Sequence, residues 1–267
     1  KRAEWSNPKH AAQWESTLET YAAPISELPV ADIDTPAVLK CLEPIWTEKT
    51  ETATRVRQRI EAVLDWATVR RFRRGDNPAR WRGHLDALLP QPAKLKKIEH
   101  RPSLPYTELP ALMAELRDTD ALSARAVEFQ ILTATRPGEV VGATWDEIDL
   151  AAKKWTIPAE RMKASRQHEI PLSPRAVELL ESLPRVGPFV FPGHTLKKPM
   201  TTAAGLALVK RLRPGIVPHG FRSTFRDWAG ERTAHAREVT EHALAHQLPD
   251  KTEAAYHRGT LYPKRAR

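Results

Sequence analysis

Apolar residues recur with helical spacing in the first third of the chain. Five of them fall at i, i+4, i+7, i+8 and i+11 and form one stripe, while charged residues such as Arg57 and Arg59 lie off it. This spacing predicts an amphipathic helix over residues 52–66 whose apolar side faces a core. The residues of the stripe are Val56, Ile60, Val63, Leu64 and Ala67.

Three more helices are predicted around this one, over residues 9–21, 35–46 and 78–88. Thr35 is a candidate cap for the second of them, with Pro36 at the first helical position. We therefore expect residues 1–90 to form a small helical bundle. Residues 91–105 are rich in proline and lysine, and this composition predicts an extended, solvated linker.

The rest of the chain, residues 106–267, mixes helical and strand patterns. The sequence predicts helices over residues 107–116 and 121–135, the second apolar on most sides and therefore buried. Short strands are predicted over residues 144–149, 154–157 and 169–172. Helical patterns then return over residues 174–182, 201–211, 219–232, 236–243 and 251–257. We therefore expect a mainly α fold with a small antiparallel β-sheet, of the α+β class.

Positive charge is concentrated in one short stretch. The chain has 42 Lys and Arg against 33 Asp and Glu, and residues 69–101 alone hold ten basic and three acidic residues. Such a concentration favours a nucleic-acid backbone, although solubility alone is the alternative. Residues 91–105 are then either a plain tether or a strap around DNA. The candidate DNA-binding residues are Arg70, Arg71, Arg73, Arg74, Arg80, Arg82, Lys94, Lys96 and Lys97.

Cysteine usage and hydropathy indicate the compartment in which the protein acts and whether it spans a membrane. Cys41 is the single cysteine, and its apolar neighbours favour a buried thiol, which fits a reducing cytoplasm. The sequence contains no apolar run of about 18 residues, so it predicts no membrane-spanning helix. The first five residues resemble neither a signal peptide nor an initiation site. We therefore expect the sequence to begin inside a longer protein.

Two histidines have the spacing of a metal site. His242 and His246 stand at i and i+4, but Ala243 occupies the position where the zinc-protease pattern has glutamate. No cluster of cysteines supplies other ligands. We expect no metal and no cofactor.

Two motifs place cationic side chains where a phosphate would be held. Arg136 ends a buried helix just before Pro137, and a guanidinium there can grip two oxygens of one phosphate; an ion pair with Glu139 is the alternative. His219 and Arg222 share a face at the start of a helix, where the helix dipole attracts anions. A capping histidine with a solvated arginine is the alternative for that pair.

Tyr256 follows His246 by ten residues, near the end of the chain. A tyrosine in such a place commonly serves packing. Its hydroxyl is nevertheless a candidate nucleophile, because the residues before it supply proton-transfer groups and cations for a charged phosphorus centre.

These motifs together resemble the tyrosine recombinase family, the phage-type integrases. The resemblance rests on ATRPGEVVGATWDEID, HGFRSTFRDWA, LAH and AAYHR, with LAH in place of the commoner Leu-Gly-His. It also singles out the lysine ahead of HEIPLS as the β-hairpin lysine of the active site. NPKHAAQWESTLETYA and ETATRVRQRIEAVLDWA resemble the core-binding domain of integrases from prophages and genomic islands. The catalytic residues implied are Arg136, Lys163, His219, Arg222, His246 and Tyr256.

The resemblance implies a reaction and partners. Tyr256 attacks the scissile phosphate and gives a 3′-phosphotyrosyl link and a free 5′-hydroxyl, without metal or ATP. The other implied roles are phosphate binding by Arg136 and Arg222, leaving-group protonation by Lys163, proton removal or phosphate orientation by His219, and a phosphate hydrogen bond from His246. The implied partners are double-stranded DNA carrying an attachment-site core and further copies of the chain, as a tetramer on DNA and a monomer when free, together with accessory DNA-bending proteins.

The implied function is site-specific recombination that integrates or excises a mobile element in a bacterial cytoplasm. A type IB topoisomerase shares the chemistry and is one alternative. A non-catalytic DNA-binding protein of the same fold is the other.

Overall fold

The structure, a computed structural model, describes residues 8–95, 102–246 and 259–266. The chain divides into two compact units, Lys1–Glu99 and His100–Arg267, and each is described by itself. None of the described helices has the length and hydropathy needed to span a bilayer.

The first unit is helical. Its helices are α1 (Pro8–Tyr21), α2 (Thr35–Trp46), α3 (Thr50–Val69) and the short α4 (Pro92–Leu95). Helix α2 is capped by Asp34, whose carboxylate accepts a hydrogen bond from the backbone N–H of Ala37 at 2.9 Å, so the predicted cap at Thr35 is wrong. The core between α2 and α3 includes Val38, Leu42, Trp46, Val56, Ile60 and Leu64.

Two predictions for this unit are corrected by the structure. The helix predicted over residues 78–88 is absent, and only a 3-10 turn at Leu85–Ala87 forms there. Gly83 has φ +67°, which interrupts helical geometry, and Trp81 stacks on Trp46 with ring centroids 5.4 Å apart. The predicted extended linker is also partly helical, because α4 lies within it.

The second unit surrounds a small antiparallel sheet with helices. The strands β1 (Ile148–Asp149), β2 (Lys154–Ile157) and β3 (His168–Pro171) pair in the order β1-β2-β3. The helices are α5 (Leu109–Asp118), α6 (Leu122–Thr133), α7 (Pro137–Val141), α8 (Pro174–Glu181), α9 (Thr202–Leu212), α10 (Phe221–Arg232), α11 (Arg237–Ala243) and α12 (Tyr262–Arg265). This confirms the mainly α fold with a small antiparallel sheet. The helix predicted over residues 251–257 lies outside the described residues.

The first strand is shorter than the sequence predicts. A 3-10 turn, Trp145–Glu147, replaces most of the strand predicted over residues 144–149. The side chain of Trp155 in β2 explains why, since its indole N–H donates to the carboxylate of Glu147 at 2.9 Å and that contact fixes the turn.

Helix α6 is the centre of this unit, as its all-round apolar pattern predicts. Phe129 is fully buried and packs its ring against Trp155 of β2 and against Phe191, with centroids 5.2 and 5.8 Å away. Helix α6 therefore fixes the position of the residues that follow it, which include Arg136.

One buried carboxylate ties three helices together. Glu128 of α6 is fully buried and lies 2.9 Å from Arg117 of α5, 3.0 Å from Arg175 of α8 and 3.6 Å from Arg125. Burial raises the pKa of Glu128, but hydrogen bonds from Arg175 and Arg117 outweigh it and hold the pKa below its usual value. The carboxylate thus stays charged at neutral pH and links α5, α6 and α8.

Candidate active site

Arg136 stands at the junction of α6 and α7. It precedes Pro137 and caps α7 with an extended backbone. Its backbone N–H donates to one oxygen of Glu139 at 2.8 Å, and its Nη1 donates to the other at 2.7 Å. The ion pair that the sequence left as an alternative is therefore present. Since the Arg136 side chain is 23% exposed and that of Glu139 6%, the guanidinium is held at the surface by a buried carboxylate.

Arg222 is the second residue of α10 and is buried, with 5% of its surface exposed. Its Nη1 donates to the carbonyl of Ala134 at 2.7 Å, and its Nη2 donates to the carbonyl of Leu244. Nη2 also lies 3.0 Å from Nε2 of His246. Arg222 therefore joins the end of α6 to the end of α11.

Arg136 and Arg222 are electrostatically coupled. Burial, and then the charge of Arg136, lower the pKa of Arg222 to about 10, against the opposing charges of Glu139 and Glu241. At neutral pH the Arg222 guanidinium remains protonated. The structure thus brings two guanidinium groups into one site, where the charge of Arg136 disfavours that of Arg222 and the two together favour a bound anion.

His246 completes the group that direct contacts define. It lies just beyond α11, and its Nδ1 is 2.6 Å from Oε2 of Glu241. Glu241 is a residue that the motif analysis missed. Its signal in the sequence, a glutamate five positions before a histidine, is too common to be recognised without the fold.

The other predicted catalytic residues are placed by their elements. His219 is exposed in the 3-10 turn Pro218–Gly220 that leads into α10. Lys163 is exposed in the turn between β2 and β3, and it makes no hydrogen bond or ion pair with Arg136, Arg222 or His246. Tyr256 lies outside the described residues, so the structure assigns it no position.

The turn that holds His219 depends on a close backbone approach. A Cβ added to Gly220 would lie 2.6 Å from the carbonyl oxygen of Pro102, which is closer than real contacts allow. The carbonyl of Pro218 also accepts a hydrogen bond from the buried amide of Gln130 at 2.8 Å. These contacts fix the start of α10 and with it the direction of Arg222.

A half-buried histidine also lies near this site. His168 opens β3, and burial, followed by the charge of Arg265, lowers its pKa to about 4. The charges of Glu139 and Arg222 also affect this pKa, in opposite directions. Arg265 reaches the sheet from α12 and donates to the carbonyl of Glu169 at 2.8 Å. The sequence motifs imply no role for His168 or Arg265.

His168 predicts a pH dependence of stability. Its pKa is lower in the folded protein than the ordinary 6.5, so stability is complete above about pH 6.5 and declines as the pH falls towards 4. The difference corresponds to on the order of 3 kcal/mol of unfolding free energy. Urea unfolding of wild type and His168→Gln at pH 7 and pH 4.5 measures it. We expect a flatter pH dependence in His168→Gln and an unchanged one in the control His235→Gln, where the histidine is exposed; equal slopes in all three proteins would contradict the prediction.

The candidate DNA-binding residues of the first unit fall into distinct groups. Arg80 is half-buried and lies 3.3 Å from Asp76. Arg73 is buried and donates to the carbonyls of Val30, Ile33 and Asp76, so its guanidinium serves the fold. Lys96 and Lys97 lie outside the described residues. The exposed members are Arg70, Arg71, Arg74, Arg82 and Lys94.

Comparison with known proteins places these features in a family. The model of the phage integrase central domain matches residues 1–84, and that of the phage integrase family matches residues 102–260. Prophage integrase IntA of Escherichia coli K12 is 32% identical over 94% of this chain and 61% of that protein. Prophage integrase IntZ of the same organism is 31% identical over 98% of this chain and 64% of that protein. The chain thus spans less than two thirds of the length of these relatives.

A solved structure shares the fold. A lambda integrase tetramer bound to a Holliday junction superposes with a TM-score of 0.70, over 92% of this chain and 73% of that one, at 16% identity. The family model covers more than half of the chain and includes every predicted catalytic residue. The resemblance drawn from the motifs is therefore confirmed, and the chain belongs to the phage integrase family, the tyrosine recombinases.

Proposed function

We propose that this chain is the DNA-binding and catalytic part of a site-specific recombinase that cuts and rejoins DNA through a 3′-phosphotyrosyl intermediate. The observation that carries the proposal is the group formed by Arg136, Arg222 and His246, within a chain that matches the phage integrase family. The same proposal divides the chain into a core-binding domain over residues 1–90, a linker over residues 91–105 and a catalytic domain over residues 106–267.

Arg136 and Arg222 bind the scissile phosphate in this proposal. A guanidinium has five N–H donors, and the contacts of Arg222 with described residues use three of them. The remaining donors, with those of Arg136 that do not face Glu139, bind the non-bridging oxygens of the scissile phosphate. Donors held in place before the reaction stabilise the charge that builds in the transition state.

Tyr256 is the nucleophile in this proposal. Its oxygen attacks phosphorus, the bond to the 5′-oxygen breaks, and the phosphodiester is conserved as a 3′-phosphotyrosine. The 5′-hydroxyl of a DNA strand then reverses the step, so rejoining requires no ATP. His219, in the turn just before α10, assists removal of the phenol proton or orients the phosphate. His246 belongs to the phosphate-binding group.

Double-stranded DNA with an attachment-site core is the proposed substrate. The exposed arginines and lysine of the first unit suit its backbone, and such contacts position the DNA without reading its sequence. Arg73 is the candidate with the least access to DNA, because it is buried and donates to three backbone carbonyls of the first unit. The lambda integrase structure, a tetramer on a Holliday junction, supports a tetramer as the working assembly on DNA. Accessory DNA-bending proteins remain part of the proposal.

Covalent capture tests the proposed function. The protein is incubated with nicked duplexes that contain a randomised core, and protein–DNA adducts that survive denaturation are isolated. The adducts should map to Tyr256 by peptide mass, and the captured DNA should share one core sequence. Adducts on all sequences, together with relaxation of any plasmid, would instead indicate a type IB topoisomerase. Binding without any adduct would indicate a DNA-binding protein that lacks the activity.

Lys163→Ala should impair cleavage in a way that a better leaving group corrects. Loss of a general acid costs about 10²- to 10⁴-fold in rate, and a 5′-bridging sulfur leaves without needing a proton. We expect slow cleavage of ordinary nicked DNA and near wild-type cleavage of the sulfur-substituted DNA. Lys153→Ala removes a comparable exposed lysine from the neighbouring turn and should cleave both substrates normally. If sulfur fails to restore Lys163→Ala, the leaving-group role of Lys163 is wrong.

A further inference from the structure

Glu241 lies at the edge of the site among three side chains, those of His246, Arg226 and, at 3.9 Å, Arg237. Its Oε2 is 2.6 Å from His246 Nδ1, and its Oε1 is 3.0 Å from Nη2 of Arg226. The Glu241 side chain is 13% exposed. Ala245 adopts φ +48°, and the backbone N–H of His246 donates to the carbonyl of Glu241 at 3.0 Å. The chain therefore turns back at the end of α11 and brings the imidazole onto the carboxylate of its own helix.

The contacts of His246 fix its tautomer. Nε2 lies 3.0 Å from Nη2 of Arg222, and a guanidinium can only donate. Nε2 must therefore accept, which leaves the ring proton on Nδ1. That proton points to Glu241 at 2.6 Å. The contact with Glu241 requires a proton on Nδ1 and the contact with Arg222 requires none on Nε2, so together they fit only the neutral Nδ1–H form.

We infer that Glu241 is a positioning residue for the phosphate-binding group. It holds His246 in the Nδ1–H tautomer with the unprotonated Nε2 facing Arg222, and that nitrogen in turn orients the Arg222 guanidinium. A carboxylate that accepts from one imidazole nitrogen sets the tautomer and direction of the other, as in metal sites and hydrolase triads. The inference rests on the proposed function, because it is the proposed phosphate that gives the orientation of Arg222 its purpose.

This arrangement changes the role expected for His246. An Nε2 without a proton cannot donate to a phosphate oxygen, so in this state His246 holds Arg222 and leaves the phosphate to the arginine. The motif comparison alone gave His246 a direct hydrogen bond to phosphate. Before DNA binds, the structure instead pairs His246 with Arg222.

The tautomer is measured directly by nitrogen NMR on the whole chain. The protein is labelled with ¹⁵N at histidine, and the His246 signals among the ten histidines are assigned by their loss in His246→Gln. We expect a protonated Nδ1 and an unprotonated Nε2 at neutral pH in wild type, and loss of this preference in Glu241→Gln. A protonated Nε2 in the wild-type protein would overturn the inference, and this readout needs no enzymatic activity.

A double-mutant cycle tests whether Glu241 acts through His246. The rate constant of adduct formation is measured at saturating DNA for wild type, Glu241→Gln, His246→Ala and the double variant. Loss of a residue that orients another typically costs about 10- to 100-fold, so we expect Glu241→Gln to slow adduct formation by that factor while DNA affinity stays within about twofold. In the His246→Ala background the same substitution should change the rate by less than about twofold. The full factor in both backgrounds would show that Glu241 acts independently of His246.

Arg226→Gln is the matched control. It removes the shorter of the two ion pairs on the other oxygen of Glu241 and leaves the contact with His246 intact. Its melting temperature should fall as much as that of Glu241→Gln, while its adduct formation at saturating DNA stays near the wild-type rate. An equal loss of rate in both variants would mean that Glu241 has only a structural role, as an ion-pair partner. If wild type forms no adduct at all, the proposed function fails, whereas the NMR result still decides the tautomer.

Discussion

The Tyr256→Phe protein should bind DNA with unchanged affinity and form no covalent adduct. Phenylalanine keeps the ring and removes only the oxygen that attacks phosphorus, so packing is largely preserved while the chemistry is not. Removal of an enzyme's nucleophile commonly costs about 10⁴-fold or more in rate, and a covalent product that requires that oxygen should be undetectable. A mobility-shift titration gives the affinity, and a denaturing gel of the same nicked duplex gives the adduct.

Tyr262→Phe is the control for this experiment. Tyr262 opens α12, where its ring lies 5.7 Å from the guanidinium carbon of Arg265, a contact that phenylalanine retains. The control should form adduct at the wild-type rate. Adduct formation by Tyr256→Phe at a normal rate would place the nucleophile on another residue and would remove the central element of the proposed mechanism.

Arg222→Lys should reduce adduct formation by about 10²- to 10³-fold, which is the usual cost of losing one preorganised donor, roughly 3 to 4 kcal/mol. Lysine keeps the charge but offers one nitrogen in place of a planar fork. That nitrogen cannot reach the carbonyls of Ala134 and Leu244 together with His246 and still bind phosphate. Single-turnover rates at saturating DNA measure the loss.

The same substitution should also lower stability. At least one buried carbonyl loses its donor, which costs about 1 to 3 kcal/mol, and a thermal melt records this effect separately from the rate. Arg232→Lys changes an exposed arginine in the last turn of the same helix and should alter neither measurement. A wild-type rate in Arg222→Lys would mean that charge alone, without the fork, suffices at this position.

The parts of the fold that were predicted correctly are those set by local patterns. The bounds of α2 and β2 follow from residue spacing and turn residues within each segment. The helix expected over residues 78–88 fails because its loop is fixed by distant partners. One of these is Arg57, which the amphipathic pattern places on the polar side of α3, yet which is buried and donates to the carbonyl of Ala79 at 2.7 Å. Sequence spacing does not show which carbonyl a buried arginine will meet.

The candidate site divides in the same way. Arg136, Arg222 and His246 are recognisable because each lies in a motif with a distinctive neighbourhood. Glu241 and His168 are not, because their importance arises only when the chain reverses after α11 and when β3 is covered by other elements. A glutamate on a helix and a histidine at a strand end are common in any protein. Only their contacts, a 2.6 Å bond in one case and burial in the other, separate them from the rest.

The turn between α6 and α7 has a mechanical consequence. Ala134 has φ +52°, an unusual conformation for a residue with a Cβ. It stands two residues before Arg136, and its carbonyl receives the Arg222 hydrogen bond at 2.7 Å. One short loop thus anchors both guanidiniums. It is joined to Arg136 through the backbone and to Arg222 through this side-chain hydrogen bond. Any motion that unwinds this loop displaces both cations at once, so the proposed phosphate site would form or be lost as a unit.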